Sequence, residues 1–293
     1  NLIRKAPENF LSQDAIADIN QHGADETRRG FLRKSFMAAL GSAGAVGSGL
    51  ALANPQGDPA ILEKQIWQTT LGKNVATEPY GTPSIYEKNL IRRESPGLTR
   101  VSAASVAFTP LQGLFGIITP NGLFYERHHA GVPQIDPAQH RLVIHGLTEN
   151  ALIFTVDEIR QFPAVSRVHF MECSGNPSFL PPWGKTAAEV SGLVSCAEWT
   201  GVTLKTLLDE AGLKPQAKWI IAEGADGAAM TRSIPIEKCL DDVMVVYSQN
   251  GERLRPEQGY PLRLFVPGYE GNTHIKWLRR LHVTDAPAYS REE

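Results

Sequence analysis

From residue 111 onward the chain is cut into short apolar runs, each stopped by a Gly, Pro or Asn signal, and this punctuation limits the folds open to it. "HRLVIHGL" (140–147) alternates polar with apolar residues, as a strand with one buried face must. "VSRVHFMEC" (165–173) is a β-rich run that stops at "SGNP". "AKWIIAE" (217–223) and "DVMVVYS" (242–248) read as buried strands, and "QNGE" (249–252) as a hairpin turn with Asn250-Gly251 where φ must be positive. "GLFGIIT" (113–119) and "GLFYER" (122–127) read as two strands around the turn Pro120-Asn121-Gly122. "YPLRLFVPG" (260–268) and "HIKWLRRLHV" (274–283) close the readable set.

Helical period is scarce. In "EWTGVTLKTLLDEAGL" (198–213), Thr203 can cap a helix whose apolar face is Leu204, Leu207, Leu208 and Ala211, closed by Gly212. In "FTVDEIRQF" (154–162), Thr155 is the N-cap and acids fill the first turn. Strands outnumber helices, and turns rather than crossover helices join many of them. The expectation is an α+β fold with mixed β-sheets and short helices. No G-x-G-x-x-G, no G-x-x-x-x-G-K and no internal repeat occurs, which argues against a doubly wound nucleotide fold.

With 29 Lys and Arg against 31 Asp and Glu, the chain has no basic field for nucleic acid. Its three cysteines, Cys173, Cys196 and Cys239, are far apart, so there is no C-x-x-C thiol pair or zinc ribbon and no C-x-x-C-H for an attached c-type haem. The segment "TRRGFLRK" (27–34) precedes a soft run, Ser35–Ala53, rich in Gly, Ala and Ser and ending in Ala51-x-Ala53. That pattern reads as a twin-arginine leader over 1–53, cleaved after export of a folded chain to the bacterial periplasm. An Arg pair before a surface loop, or an uncleaved anchor, are the plainer alternatives. Residues 54–110 read as an irregular, Pro- and Gly-punctuated arm, and 111–293 as the folded domain.

Three places can carry chemistry. Cys173 ends a strand, where a thiol can face a cleft; alone, it is more often a small hydrophobe. The same run reads His-x-Met-x-Cys, a set of soft ligands that also suits copper. In "FYERHHAG", His128 and His129 must face opposite ways on a strand, but Arg127 with one inward histidine makes an anion pocket. Arg263 and Lys276 sit in apolar strands, each either on the solvent face or reaching a buried anion. Together these suggest a soft metal held beside a phosphate. Cys196 and Cys239 read as core.

"GLFYERHHAGVP", "HFMECSGN", "EWTGVTLKTLL", "EGADGAAMTRSIPIEKCLDD", "NGERLRPEQGYPLRLFVPG" and "HIKWLRRLHV" occur in the order found in the sulfite oxidase family, which the chain resembles from about Gly57 onward. The arm "PYGTPSIYEKNLIRR" and "GIITPNGLFYERHH" are most similar to the SoxC branch, the molybdenum subunits of sulfane dehydrogenases. The resemblance implies a sulfite-oxidase-type domain that binds the molybdenum cofactor, Mo-molybdopterin. It makes Cys173 the thiolate ligand of the metal. It makes Tyr125, Glu126, Arg127, His128 and His129 the segment lining pterin and substrate pocket, with Arg127 facing the oxyanion. Asp226, Gln258, Arg263, His274, Ile275 and Lys276 match further cofactor contacts, Gln258 standing where relatives often have His or Asn.

The implied activity is oxidation of sulfane sulfur on a carrier protein, or of sulfite, by oxygen-atom transfer, with electrons passing to a c-type cytochrome. Installing such a cofactor before export accounts for the twin-arginine machinery as a partner. Arg127-His128-His129 departs from the Arg-Asn-His of animal and plant sulfite oxidases, and "PSFLPPWGKTAAEVSG" (177–192) departs from the branch, leaving pocket selectivity open. The family usually continues into an immunoglobulin-like domain that forms dimers, beyond the sequence given. Rival readings are a free-sulfite dehydrogenase, a periplasmic methionine-sulfoxide reductase, and an exported binding module without catalysis.

Overall fold

The structure, a computed structural model, describes residues 65–95, 104–177 and 186–290. The leader expected over 1–53 and the divergent residues 178–185 lie outside the described residues. Two compact units divide at Thr82/Pro83. In the first, the single turn α1 (Ile66–Thr69) is closed by a reciprocal cap between Gln65 and Gln68, and Val75–Thr77 forms a 3₁₀ turn.

Among its described residues the second unit carries thirteen strands in three sheets. β1 (Arg93–Glu94), β2 (Ser105–Phe108) and β3 (Glu126–His128) form an antiparallel sheet in which Ser105 faces His128. Two of these strands fall inside the arm read as irregular to residue 110. The run 113–119 is not a strand: Leu111–Gly113 is a 3₁₀ turn, Gly116 has φ +86°, and Phe115 and Ile117 stand in the open. Among the described residues only Thr119 of this run meets another strand, its amide donating to the Cys196 carbonyl at 2.7 Å, and the rest gains nothing from extending. Asn121–Leu123 is likewise a 3₁₀ turn, anchored by the Asn121 amide on the Gln249 carbonyl at 2.9 Å.

β4 (Arg141–Gly146) keeps its expected alternation, with Leu142 and Ile144 buried. It pairs with β5 (Leu152–Thr155), which runs into α2 (Val156–Ile159) through a capping box between Thr155 and Glu158. β6 (Val165–Glu172) precedes α3 (Ala187–Val190) and pairs over its whole length with β7 (Val194–Thr203). Thr203 caps α4 (Leu204–Ala211), whose Leu204, Leu207, Leu208 and Ala211 are fully buried, and Gly212 ends it. β8 (Trp219–Gly224) and β9 (Thr231–Pro235) make a hairpin followed by α5 (Ile236–Asp241). β10 (Met244–Gln249) turns into β11 (Glu252–Arg253) with Asn250 at φ +49° and Gly251 at +77°, as the dipeptide predicts. β12 (Arg263–Phe265) and β13 (Leu278–Thr284) complete the set.

The second sheet runs β11-β10-β7-β6 with β12 also on β10; the third runs β5-β4-β13-β8-β9, with β4 and β13 parallel. The fold is the expected α+β arrangement of mixed sheets and short helices. Two cores form. The larger packs α4 against the third sheet and β12; the smaller gathers Phe124, Tyr125, Met171, Trp199 and Phe265. In the smaller, Trp199 stacks on Phe265 at 4.8 Å and meets Phe124 edge-on at 5.6 Å.

Candidate active site

All three sheets deliver strand ends or connections to one cleft of ≈ 710 Å³, measured out to its open mouth. The first sheet supplies Tyr125–His129, the end of β6 supplies Cys173, and the β8–β9 loop supplies Asp226. Gln258 comes from the 3₁₀ turn Pro256–Gln258, Arg263 opens β12, and His274–Lys276 lie in the connection from β12 to β13. Every residue that the resemblance assigned to cofactor or substrate lines this one cleft. Met230, Gly271 and Trp277 line it too, and sequence reasoning missed them.

Cys173 leaves β6 with its amide on the Leu193 carbonyl (2.9 Å) and its carbonyl accepting from Asn176 (2.9 Å), so backbone bonds fix the thiol position from both sides. It is half-buried and in no disulfide. Gly271 packs against it so closely that a Cβ there would stand 3.2 Å from the Cys173 Cα and 2.5 Å from the Tyr125 hydroxyl. Of the copper alternative, Met171 is spent elsewhere: it is buried, and its sulfur accepts from Arg263 Nη2 at 2.9 Å.

Arg263 is 4% exposed. Its Nη1 donates to the Gln258 carbonyl (3.1 Å) and to Gln258 Oε1 (3.0 Å), its Nη2 to Met171 sulfur, and its Nε is buried without a partner. Burial pulls its pKa down to about 10, against the nearby Tyr125 hydroxyl. All its protein acceptors are uncharged, and a buried cation without an anion is costly. Gln258 is itself a bracket: its Nε2 donates to the Tyr125 carbonyl at 3.0 Å while its oxygens hold Arg263.

Lys276 is not inside a strand, as its apolar neighbours suggested, but in the bend before β13. Its Nζ donates to the carbonyls of Arg127 (3.0 Å) and Glu257 (3.2 Å) and meets His128 Nδ1 at 2.8 Å. Burial first, then Arg263, press its pKa well below the usual lysine range, with the Asp226 carboxylate acting the other way. His128 is buried and kept neutral, its pKa lowered to about 2 by burial and then by Lys276. His274 is also neutral, down to about 3 from burial and Arg263; its Nδ1 accepts from Val266 N (3.1 Å) and its Nε2 meets the Tyr269 carbonyl (3.1 Å). Both its nitrogens are therefore used within the protein. Asp226 is buried and accepts from Met230 N at 3.4 Å, and Ile275 is buried in the larger core. Cys239 is core, but Cys196 is only half-buried on β7.

A soft thiol faces a cleft whose wall holds buried Arg263 and half-buried Lys276, with an orphaned guanidinium N–H behind it. Such a donor set fits an anionic group carrying a thiolate-seeking metal and a phosphate. Among the described residues no group of three or more His, Cys, Asp or Glu could hold a metal.

Residues 129–291 match the family profile described as the oxidoreductase molybdopterin binding domain. The chain is 37% identical over 178 residues to mitochondrial sulfite oxidase of Drosophila melanogaster, covering 57% of this chain and 31% of that one. It is 34% identical over 187 residues to an NADH nitrate reductase of Ulva prolifera, covering 58% and 22%. The chain thus spans a third or less of these relatives. Among solved structures, the crystal structure of the sulfane dehydrogenase SoxCD from Paracoccus pantotrophus aligns with a TM-score of 0.74 and 42% identity, over 78% of this chain and 60% of that one.

Proposed function

The chain belongs to the sulfite oxidase family of molybdopterin oxidoreductases, and from that membership we propose that it oxidises sulfur, as carrier-bound sulfane or as sulfite, in the periplasm. The observation that carries this reading is the juxtaposition, in one cleft, of the Cys173 thiol with buried Arg263 and half-buried Lys276. The likeness to sulfane dehydrogenase at 42% identity favours sulfur over the nitrate of other relatives.

The cofactor, when bound, supplies oxygen-atom transfer to sulfur and takes up the electron pair released. Cys173 would hold its metal through the thiolate. Arg263, braced by Gln258 and Met171, would meet its phosphate, and Lys276 adds a fixed positive charge to the same wall. Arg127 holds the substrate oxyanion at the mouth, a role worth a few kcal/mol in such pockets. His128 and His274, both neutral, take no part as acids. Electrons leave for a separate c-type cytochrome, and the twin-arginine pathway exports the loaded chain.

Metal analysis of the purified full chain tests the reading. One molybdenum per chain, lost in Cys173→Ser while the fold is retained, is the expected result. A Cys173→Ser protein with unchanged metal content and turnover would exclude the ligand assignment. Turnover with free sulfite against carrier-bound sulfur then decides the substrate.

A further inference from the structure

Glu126 and His128, two apart on β3, share a face, and Glu126 Oε2 lies 2.7 Å from His128 Nε2. The other carboxylate oxygen is closed by Arg92, whose Nη1 also donates to the Phe124 carbonyl at 3.3 Å. An ionised carboxylate only accepts, so the proton of His128 sits on Nε2 and its Nδ1 is a lone pair. That lone pair meets Lys276 Nζ at 2.8 Å, and Nζ also faces the carbonyls of Arg127 and Glu257. Three acceptors need three N–H bonds, which a neutral amine does not have. The polarity is therefore settled from end to end, and Lys276 has no proton to spare for a ligand.

The backbone bears strain to keep this arrangement. Trp277 holds φ at +54°, rare for a bulky side chain, and its indole donates to the Pro256 carbonyl at 2.9 Å with the ring 4.5 Å from Lys276 Nζ. Lys276 thus ties the middle of β3, where Arg127 sits, to the turn carrying Gln258.

We infer that Arg92, Glu126 and His128 are positioning residues: by fixing the polarity of the chain that ends on the Lys276 ammonium, they set where the Arg127 backbone stands in the cleft. What that placement serves rests on the proposed sulfur chemistry; the polarity itself does not.

The test uses the full chain in two arms. In the first, ¹⁵N NMR of labelled histidine reads the His128 tautomer at pH 7, with or without cofactor. The Nε2–H form is expected, and an Nδ1–H form or an imidazolium overturns the relay even if the enzyme assignment stands. In the second, KM for sulfite is compared between His128→Leu and His128→Gln. The glutamine amide can accept from Lys276 and donate to Glu126, so it restores a KM that leucine raises about tenfold, the scale of one charge-assisted hydrogen bond. Equal values for the two variants overturn the inference. Should the protein turn over neither sulfite nor carrier-bound sulfur, the proposed function fails while the tautomer still reports on the relay; where only carrier-bound sulfur is turned over, KM is read for that substrate.

Discussion

Arg263 Nη1 donates to both oxygens of Gln258, backbone at 3.1 Å and side chain at 3.0 Å, so a residue five positions earlier holds a fully buried cation by neutral atoms alone. A cation so placed is a cost to the unloaded chain and a gain once an anion arrives. Arg263→Met is therefore expected to change unfolding stability of the unloaded protein by less than about 2 kcal/mol, the lost charge burial offsetting the stranded Gln258 oxygens. The same variant should lose the stabilisation that cofactor adds to the wild type, because that term exists only where the folded state binds. Paired denaturant melts with molybdenum quantified check this. A large loss in the unloaded protein would show that Arg263 serves folding instead.

Gly271 has no room for a side chain. Its Cβ would fall 2.5 Å from the Tyr125 hydroxyl, 3.1 Å from the Glu172 carbonyl and 3.2 Å from the Cys173 Cα. Gly271→Ala should destabilise by about 1–3 kcal/mol, the usual range for overpacking, and lower metal content by displacing Cys173. Tyr125→Phe removes the nearest atom, so the double variant should recover part of the loss, a coupling that a mutant cycle measures. Strict additivity would mean the two residues do not meet.

The parts of this architecture that pattern revealed are those whose signal is local. Leu204, Leu207, Leu208 and Ala211 announce a buried helix face by spacing, and Asn250-Gly251 announces a hairpin by backbone need. The 113–119 run misled because β-propensity reports a side chain's taste for a sheet, whereas a ladder requires a partner that sequence does not name. β2 is such a partner: Ser105 pairs with His128 across a gap that no local period spans. Of the cleft residues, Cys173, Arg127, His128, His129, Arg263 and Lys276 drew notice by residue type and strand position, and Tyr125, Glu126, Asp226, Gln258, His274 and Ile275 only through motifs matched to a family. Gly271 and Trp277 escaped because an absent side chain and a strained φ leave no mark in composition.

Two buried imidazoles give the protein an acid-sensitive stability. His274 is lowered to about 3 and His128 to about 2, burial being the larger cause in each. An unfolded histidine takes a proton near pH 6.5, which the folded form refuses, so the stabilisation is complete above that value and drains as pH falls toward 3. Each group contributes up to about 1.4 kcal/mol per pH unit once well below 6.5, or roughly 2–3 for the pair. Urea melts at pH 7, 6 and 5 should show this slope before the carboxylates titrate. His274→Asn should reduce it by about one proton, and a flat profile would refute the buried neutral state.

The three thiols should differ in reactivity in a way that reads out the cleft directly. Cys239 lies wholly in the larger core, and burial first, then Glu237, pushes its pKa up to about 12, so a thiolate is scarce and unreachable. Cys196 is half-buried on β7, with burial raising its pKa, and should label slowly. Cys173 opens onto the cleft and should label in the unloaded chain. Loading the cofactor changes only the last: a sulfur bonded to metal is no longer a nucleophile, so alkylation of Cys173 should fall more than about tenfold while Cys196 keeps its rate. Iodoacetamide labelling of native protein, mapped by peptide mass, separates the three positions. Equal labelling of Cys173 with and without molybdenum would remove that thiol from the metal, because no half-buried sulfur can be both a bound ligand and a free nucleophile.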